Sequence, residues 1–404
     1  MIKGFFNLSD LSSARTIPTI PRCGLCKLYS SCQSPKMSPT GKGKRGVLIC
    51  GESPGNTEDK RGVQFIGESG QILRKLLRSI NVDLDRDCWK TNALCCHPAD
   101  NKLPKNAQTL IDACRPNLMN TIKKYQPHTI ILVGATACKS LIPVIWKDKV
   151  EEFSKWTGQN IPSQFLNAWV CPVYHPAYLL RQKNTLLETI TRKSLKKAFS
   201  HKARPWQEVP DYKSEVEVIH RPYMAAKAIR DMIQIGQECS LDIETNTLKP
   251  EEVGAEIICC SICQSGRRTI AYPWIGETID ATIDLLKSEI PKVGANIKFE
   301  DRWFRRLYRF GVKNWMWDAV ICAHYLDNRS GITSVKFQSF VQLGLKSYNE
   351  QVEPYLKPAK NKRLNRIKEL PINDILIYNG IDSLVEWKIY EIQKKKLERM
   401  RIHA

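Results

Sequence analysis

The sequence predicts two α/β domains in one chain of 404 residues. Apolar, strand-like runs alternate with helical patterns in two blocks, which lie on either side of a basic stretch at residues 191–215. The length supports this division, because 404 residues suffice for two cores of ordinary size. Such alternation predicts mostly parallel sheets, with functional loops at the carboxyl ends of the strands.

The first block begins with a strand at residues 46–50, which the turn GESPG connects to a helical pattern at 72–80. A second helix is predicted over residues 107–125, and a buried strand follows at 129–133. A further short strand at 169–174 leads into a His-Pro pair.

The basic stretch at residues 191–215 has no clear apolar face, so it is either a solvated helix end with a linker or a contact for the DNA backbone. The second block starts near Val216 and contains a helix at 224–235 and strands at 239–243 and 257–262. An amphipathic helix and a basic tail close the chain. We therefore expect a first domain at 1–205, a linker at 206–215 and a second domain at 216–404.

The composition favours a polyanionic partner, above all nucleic acid. Lys and Arg number 62 against 41 Asp and Glu, a formal net charge of +21. No apolar run approaches the ~20 residues of a membrane span, and residues 1–13 lack a signal-peptide pattern. We expect a cytoplasmic protein without membrane contact, in which the 15 cysteines pack in the core or bind metal.

Four cysteines stand in distinctive surroundings. Cys23 and Cys26 form a C-x2-C pair, Cys96 lies in TNALCC, and Cys114 lies in ACRP. Four thiolates can bind a tetrahedral zinc ion or a [4Fe–4S] cluster, and the spacing alone leaves both open.

A set of motifs in one order resembles the family 4 uracil-DNA glycosylases, the iron–sulfur branch of their superfamily. The motifs are the C-x2-C pair, GESPGNTED (51–59), GVQFIGESGQIL (62–73), TNALCC (91–96), ACRP (113–116) and YHPA (174–177). The resemblance covers residues 20–200. It implies a parallel-sheet glycosylase fold and a [4Fe–4S] cluster on Cys23, Cys26, Cys96 and Cys114.

The same resemblance implies a uracil pocket. Phe65 would stack on the base, the Asn92 amide would read the O4/N3 edge, and His175 would hydrogen-bond O2 and stabilise the departing anion. Glu52 and Asp59 are the two candidates for activating the water. The remaining residues implied at the substrate lie on the turn after the first strand and are Gly51, Ser53 and Gly55.

The second block carries paired acids. Asp242 and Glu244 are two residues apart on a predicted strand, so both side chains lie on one face. Tyr378 and Asp382 are four apart, which is about one turn of a helix. Converging carboxylates of this kind are what two-metal phosphodiester hydrolysis requires.

These acids belong to three segments, DIET, GANIKFED (294–301) and YNGID, that resemble the exonuclease motifs of DnaQ-like 3′–5′ proofreading domains, as in family A DNA polymerases. The resemblance implies an RNase H-like fold over 216–395, with Mg²⁺ or Mn²⁺ on Asp242, Glu244 and Asp382 and the attacking water oriented by Tyr378. Glu300 takes the middle carboxylate position, and a shift of one residue would assign Asp301 instead.

Taken together, these features predict a bifunctional enzyme that excises uracil from DNA and degrades DNA from the 3′ end. We expect single strands or 3′ ends as substrate, a separate DNA polymerase as partner, since no polymerase motif follows Asp382, and an origin in bacteria or phage-infected cells. The alternatives are a non-excising uracil-binding module that tethers an exonuclease, and an exonuclease fold that has lost its activity and serves for docking.

Overall fold

The computed structural model describes residues 20–104, 107–146, 150–346 and 348–402. The chain divides into two compact units, residues 1–210 with 343–346, and residues 211–342 with 347–404. Two segments for which we made predictions lie outside the described part. They are residues 1–13 and the last two residues of the basic tail. No helix within that part is long and apolar enough to cross a membrane.

Unit 1 contains a sheet with the strand order β2-β1-β3-β5-β4, in which only the pair β4–β5 is antiparallel. Its strands are β1 (Val47–Gly51), β2 (Cys88–Asn92), β3 (Thr129–Val133), β4 (Ile161–Ser163) and β5 (Ala168–Val173). Its helices are α1 (Cys23–Cys26), α2 (Asn56–Arg61), α3 (Glu68–Arg78), α4 (Leu84–Asp87), α5 (Ala107–Tyr125), α6 (Ala135–Ile145), α7 (Pro176–Gln182) and α8 (Thr185–Ala198).

The apolar strands β1 and β3 form the centre of the unit 1 core, where every residue of both strands is buried. The parallel register pairs Gly51 with Asn92 and Val133 with Val173. The carboxyl ends of β1, β2, β3 and β5 therefore meet along one edge, which is where the turns with the predicted pocket residues begin.

The expectation that residues 191–215 lack an apolar face was wrong. Helix α8 packs Leu195 and Ala198, both fully buried, into the core of unit 1. Arg204 then donates hydrogen bonds to the carbonyl oxygens of Asn167 (3.0 Å) and Gln126 (2.9 Å). The apolar positions are few and were obscured in the sequence by the intervening lysines, of which Lys193 and Lys196 are exposed.

Unit 2 contains a mixed sheet with the order β11-β10-β7-β8-β9-β6. Strand β8 is antiparallel to both of its neighbours, and the other pairs are parallel. Its strands are β6 (Val216–Val218), β7 (Cys239–Thr245), β8 (Ile257–Gln264), β9 (Arg268–Pro273), β10 (Lys292–Gly294) and β11 (Trp315–Asp318). Its helices are α9 (Pro222–Ile235), α10 (Glu277–Lys287), α11 (Lys298–Tyr308), α12 (Ala319–Leu326), α13 (Val335–Leu343) and α14 (Ile372–Ile402).

The long helix α14 is held against the sheet by hydroxyl groups as well as by apolar packing. Ser240 on β7 donates to the carbonyl oxygen of Ser383 (2.6 Å), and Ser261 on β8 donates to that of Asn379 (2.7 Å). Because these bonds lie on both sides of Asp382 in the helix, they fix its rotation and direct that carboxylate towards β7.

Candidate functional sites

The predicted uracil-binding residues lie at the edge of the unit 1 sheet where the turns after β1, β2 and β5 begin. Three of them are in close contact, since a Cβ atom on Gly51 would lie 2.5 Å from Asn92 Oδ1 and 2.7 Å from the Phe65 ring. Asn92 and Phe65 are both buried. The structure thus brings together three residues that the sequence assigned to the substrate.

Phe65 has a backbone conformation that few residues other than glycine adopt, with φ of 56°. Arg74 donates to its carbonyl oxygen (3.0 Å), and α3 approaches so closely that a Cβ atom on Gly70 would lie 2.2 Å from the Phe65 carbonyl carbon. Such strain persists only where the surroundings impose it, and it is common at ligand sites.

His175 caps α7, and its Nδ1 accepts a hydrogen bond from the amide of Ala177 (3.2 Å). The neutral ring therefore carries its proton on Nε2 and can donate from that side. Burial lowers the pKa of His175, and the nearby Glu52 carboxylate opposes this shift only in part. His175 is thus a neutral hydrogen-bond donor at pH 7.

Glu52 lies on the turn after β1, where Thr136 of α6 donates to its Oε2 at 2.6 Å. Its other oxygen has no hydrogen-bond partner among the described residues. Ser53 and Gly55, on the same turn, are partly exposed. Thr136 is a partner that the sequence did not suggest, because it is 84 residues away along the chain.

Asp59 is engaged elsewhere. Its two carboxylate oxygens accept the amides of Gln33 (2.9 Å) and Ser34 (2.8 Å), and its own carbonyl oxygen accepts the Ser34 hydroxyl. These hydrogen bonds anchor the 33–34 turn on α2, so Glu52 is the better placed of the two candidates for activating water.

The four predicted cysteine ligands, Cys23, Cys26, Cys96 and Cys114, line one cavity together with Cys95. Polar hydrogens approach the sulfurs, since Lys36 N lies 3.2 Å from Cys96 Sγ, and both Cys95 N and Asn117 Nδ2 lie 3.4 Å from Cys114 Sγ. Within the described residues, no three cysteine sulfurs lie within 4.8 Å of one another.

The thiols in this cavity differ in acidity. A hydrogen bond from Cys95, reinforced by the Cys95 amide and Asn117, lowers the pKa of Cys114 to about 6. Burial raises the pKa of Cys96 to about 12, although Lys36 N opposes the shift. The hydrogen bonds to Cys114 thus favour its thiolate, the form that binds metal.

In unit 2, Asp242, Glu244 and Asp382 place carboxylate oxygens within 4.8 Å of one another. Burial and the charges of Asp382, Glu244 and Glu300 raise the pKa of Asp242 well above its usual range. Burial, followed by the Asp382 charge, raises the pKa of Glu244 to about 8. Carboxylates that repel one another in this way form a site suited to divalent cations.

Three polar side chains that the sequence did not single out support these carboxylates. Asn379 Nδ2 donates to Asp242 Oδ2 at 2.6 Å, and the Tyr348 hydroxyl donates to Asp382. Lys336 donates to the hydroxyl of Tyr378 at 2.9 Å. Only Asn379 belongs to a motif, because Lys336 and Tyr348 reach the site from sequence positions 42 and 34 residues from their partners.

Glu300 and Asp301, the two candidates for the middle carboxylate, lie in different surroundings. Glu300 is buried, its pKa is raised to about 8 by burial, and its charge acts on Asp242 and Glu244. Asp301 instead accepts the amide of Val312 (2.9 Å) and forms an ion pair with Arg305. The geometry therefore favours Glu300, the assignment made from the motif.

The face of α11 that carries Asp301 forms an open, basic concavity. Its lining consists of five cations and two acids, namely Lys298, Arg302, Arg305, Arg306, Arg309, Glu251 and Asp301. Arg302 pairs with Glu251 and Arg305 with Asp301. The net charge of +3 on this lining favours an external anion.

Unit 1 is similar in sequence to known proteins. Residues 39–209 match the model of the Uracil DNA glycosylase superfamily. The type-4 uracil-DNA glycosylase of Pyrobaculum aerophilum is 31% identical over 165 residues, which are 40% of this chain and 82% of that protein. The corresponding enzyme of Thermotoga maritima is 30% identical over 182 residues, or 45% of this chain and 90% of that protein.

The chain belongs to the type-4 uracil-DNA glycosylase family. This membership confirms the resemblance read from the motifs, and it accounts for unit 1, which we now call the glycosylase unit. The matched region begins at residue 39, so the C-x2-C pair precedes it, whereas Asn92 and His175 lie inside it.

Among solved structures, the chain is similar to NrnC of Brucella melitensis bound to pGG, with a TM-score of 0.32, 14% identity and coverage of 40% of this chain and 74% of that chain. It is also similar to Escherichia coli RNase D, an exoribonuclease, with a TM-score of 0.32, 11% identity and coverage of 46% and 45%. Similarity this low does not indicate a function, so the function of unit 2 is inferred from its own carboxylates.

Proposed function

We propose that this chain hydrolyses the N-glycosidic bond of uracil in DNA with its glycosylase unit and removes nucleotides in the 3′ to 5′ direction with unit 2. The observation that carries the proposal is the presence of one organised site in each unit. In unit 1, Gly51, Phe65 and Asn92 lie together at the turn that carries Glu52, and in unit 2 three carboxylates converge.

In the glycosylase pocket, the base leaves its stack and its ring lies against Phe65. The Asn92 amide has both a donor and an acceptor, which match O4 and N3–H of uracil and mismatch the edge of cytosine. His175 donates from Nε2 to O2, where negative charge develops as the bond between C1′ and N1 breaks. Its neutral state is supported by the lowered pKa.

Glu52 completes this reaction. The hydrogen bond from Thr136 holds one of its oxygens, so the other can accept a proton from the water that attacks C1′. The electron pair of the broken bond remains on uracil, and the proton taken from water later neutralises that anion. The products are free uracil and an abasic deoxyribose.

We infer that Cys23, Cys26, Cys96 and Cys114 hold a [4Fe–4S] cluster. All four cysteines line one cavity, and N–H groups are directed at the sulfurs of Cys96 and Cys114, which suits thiolate ligands. The choice of this cluster over a zinc ion follows from membership of the type-4 family, whose motifs these cysteines share. Such a cluster would act structurally, because it would connect α1 to α5 and to the segment after β2.

The cluster assignment is tested by metal analysis of purified protein. We expect a brown protein with broad absorbance and about four irons per chain. Replacing Cys114 with Ser should remove the iron, whereas replacing Cys171, a buried cysteine on β5 outside the cavity, should leave it in place. Stoichiometric zinc without iron would contradict the assignment.

In unit 2, Asp242, Glu244, Asp382 and Glu300 would bind Mg²⁺ or Mn²⁺, which would activate the attacking water and stabilise the leaving oxygen. The Tyr378 hydroxyl would orient that water, and the Lys336 ammonium keeps the hydroxyl in position. The basic concavity on α11 supports a nucleic-acid substrate, since the cations of its lining that form no ion pair with a described residue suit phosphates.

The main alternative is a module that binds uracil without excising it and tethers a nuclease to DNA. An oligonucleotide with one uracil separates the two possibilities, since only excision releases free uracil. Two further points stay predictions of the motif resemblance. The first is that the nuclease proofreads for a separate polymerase, and the second is that the chain comes from a phage. Co-purification of a polymerase with the tagged chain from its native cell would test the first.

A further inference from the structure

Glu58 is a buried acid of the glycosylase unit to which the sequence motifs assign no role. It lies on α2 and is 8% exposed. Its Oε1 accepts two backbone amides, those of Ile66 (3.1 Å) and Gly67 (2.8 Å). These amides directly follow Phe65, the residue proposed to stack on uracil. Glu58 therefore holds the turn at residues 64–67, which we call the Phe65 turn.

The position of Glu58 in its helix is typical of a different partner. Gly55 is the N-cap of α2, so Glu58 is the third helical residue, and an acid there commonly accepts the amide of the N-cap residue itself. Here its Oε1 instead accepts amides from the segment between α2 and α3. The side chain thus connects two turns that are separate in the chain.

The Glu58 carboxylate lies directly against the backbone of both turns. A Cβ atom on Gly55 would lie 2.7 Å from Glu58 Oε2, and one on Gly67 would lie 3.0 Å from the same oxygen. Gly55 ends the turn after β1 that also carries Glu52. The carboxylate therefore supports, from α2, both the turn of the proposed base and the turn of the stacking ring.

The strained backbone at Phe65 is anchored on both sides. Before it, the Gln64 side chain accepts the Thr40 hydroxyl (2.5 Å) and donates to the carbonyl oxygen of Ser38 (2.7 Å). After it, Glu58 accepts the next two amides. Hydrogen bonds to a carboxylate are roughly twice as strong as those between neutral groups, and a strained conformation persists only where such surroundings impose it.

We propose that Glu58 is a positioning residue for uracil excision, which holds the Phe65 ring in place before the base leaves its stack. This rests on the uracil site proposed above. A ring that is already ordered need not be ordered when the base binds, so more of the binding energy is available for the reaction. The length of the Glu58 side chain is decisive, because one oxygen accepts both amides.

The test compares variants of the full-length protein that change either the charge or the length of this side chain, with release of free uracil from a single-uracil oligonucleotide as the readout. Glu58→Gln should stay close to the wild-type rate, because the Gln amide oxygen also has two lone pairs. Glu58→Ala should lower the rate by about tenfold to hundredfold, since a small misplacement of a substrate-contacting group has costs of this size. Glu58→Asp, whose oxygens are one methylene further from the turn, should lose activity by a smaller factor. Glu68→Ala, at an exposed acid beside the same turn, is the matched control.

A double-mutant cycle distinguishes positioning from general support of the fold. Phe65→Ala alone should lower uracil release by about tenfold to hundredfold, the usual cost of a lost stack between a base and an aromatic ring. Adding Glu58→Ala to Phe65→Ala should cost little more, because the ring that Glu58 positions is already absent. Losses that multiply in the double variant would overturn the proposal.

Thermal melting of each variant keeps the comparison decisive. Should Glu58→Ala melt below the assay temperature, the Asp and Gln variants decide alone. A loss confined to Asp supports the positioning role, whereas a loss confined to Gln would show that charge matters rather than length and would overturn it.

The role of Glu58 can fail separately from the site on which it rests. If Phe65→Ala is impaired and Glu58→Ala is as active as the wild type, only the role of Glu58 is wrong. If Phe65→Ala releases uracil at the wild-type rate, both are wrong.

Discussion

The candidate sites of the two units are both positioned by strands of a sheet, but they differ in charge. The site in unit 2 concentrates several carboxylates, whereas the site in the glycosylase unit contains one. In each, strands of a sheet bring polar residues together, β1, β2 and β5 in the glycosylase unit and β7 with α14 in unit 2. The residues proposed to contact uracil are an aromatic ring, an amide and an imidazole whose pKa is lowered, with the single carboxylate of Glu52 beside them. The second consists of carboxylates whose pKa values are raised by burial and by one another.

The difference indicates which chemistry each unit can perform without an added ion. In the proposed glycosylase site, hydrogen bonds within the protein already hold the reacting groups, since Thr136 donates to Glu52 and the Ala177 amide donates to Nδ1 of His175. The carboxylates repel one another until a cation joins them. Base excision should therefore be independent of divalent ions, and nucleotide removal should require them.

The largest expected effect comes from Asp242, the carboxylate on which the charges of Asp382, Glu244 and Glu300 all act. Asp242→Asn should reduce nucleotide release by about 10³-fold or more, because a binding group for the ion that stabilises the transition state is removed. Uracil release should be unchanged. Quantitative gel analysis of a 5′-labelled oligonucleotide measures the first, and chromatography of free base measures the second.

The reciprocal change in the pocket should be somewhat smaller. Asn92→Ala and His175→Ala should each reduce uracil release by about 10²–10³-fold, the usual cost of removing one donor at a developing anion. Nucleotide removal should stay at the wild-type rate. Asn120→Ala, at an exposed position on α5, is the matched control. Wild-type uracil release by both pocket variants would mean that the base binds elsewhere.

In the absence of metal, the raised pKa values of the carboxylates predict that the stability of unit 2 depends on pH. Glu244 and Glu300 have pKa values of about 8 in the folded protein, against an ordinary value of 4.5. Between these values the folded state holds protons that the unfolded state releases, so unit 2 should lose stability as pH rises towards 8. Hydrogen exchange of the β7 amides in EDTA, corrected for the intrinsic rate, would detect this loss. Added Mg²⁺ should reverse it.

The smallest effect should come from the basic concavity on α11. Changing Lys298, Arg306 and Arg309 to Gln should weaken binding of long single strands and lower the salt slope by roughly 0.7 for each phosphate that the protein no longer neutralises. Dinucleotides should be cleaved as before, since Glu300 lies on the opposite, buried face of that helix. The same change at Arg221, Lys227 and Arg230, exposed on or beside α9, is the control. Equal weakening in both variants would indicate only a general effect of charge.

Local patterns in the sequence were enough to predict β1, β3, β5 and β7, whereas β2, which carries Asn92, was not predicted. The apolar run at 129–133 and the D-x-E spacing in β7 depend only on neighbouring residues, and the structure contains both. The supporting hydrogen bonds were not predictable, because Thr136 meets Glu52 and Tyr348 meets Asp382 only after the chain has folded.

One measurement tests the central difference most directly. A 5′-labelled single strand with an internal uracil is incubated with the full-length protein in EDTA and then in Mg²⁺, and each sample is analysed before and after alkali. We expect an alkali-labile break at the uracil in EDTA with no shortening, and progressive 3′ shortening once Mg²⁺ is added. Shortening in EDTA, or a break at uracil that needs Mg²⁺, would contradict the account.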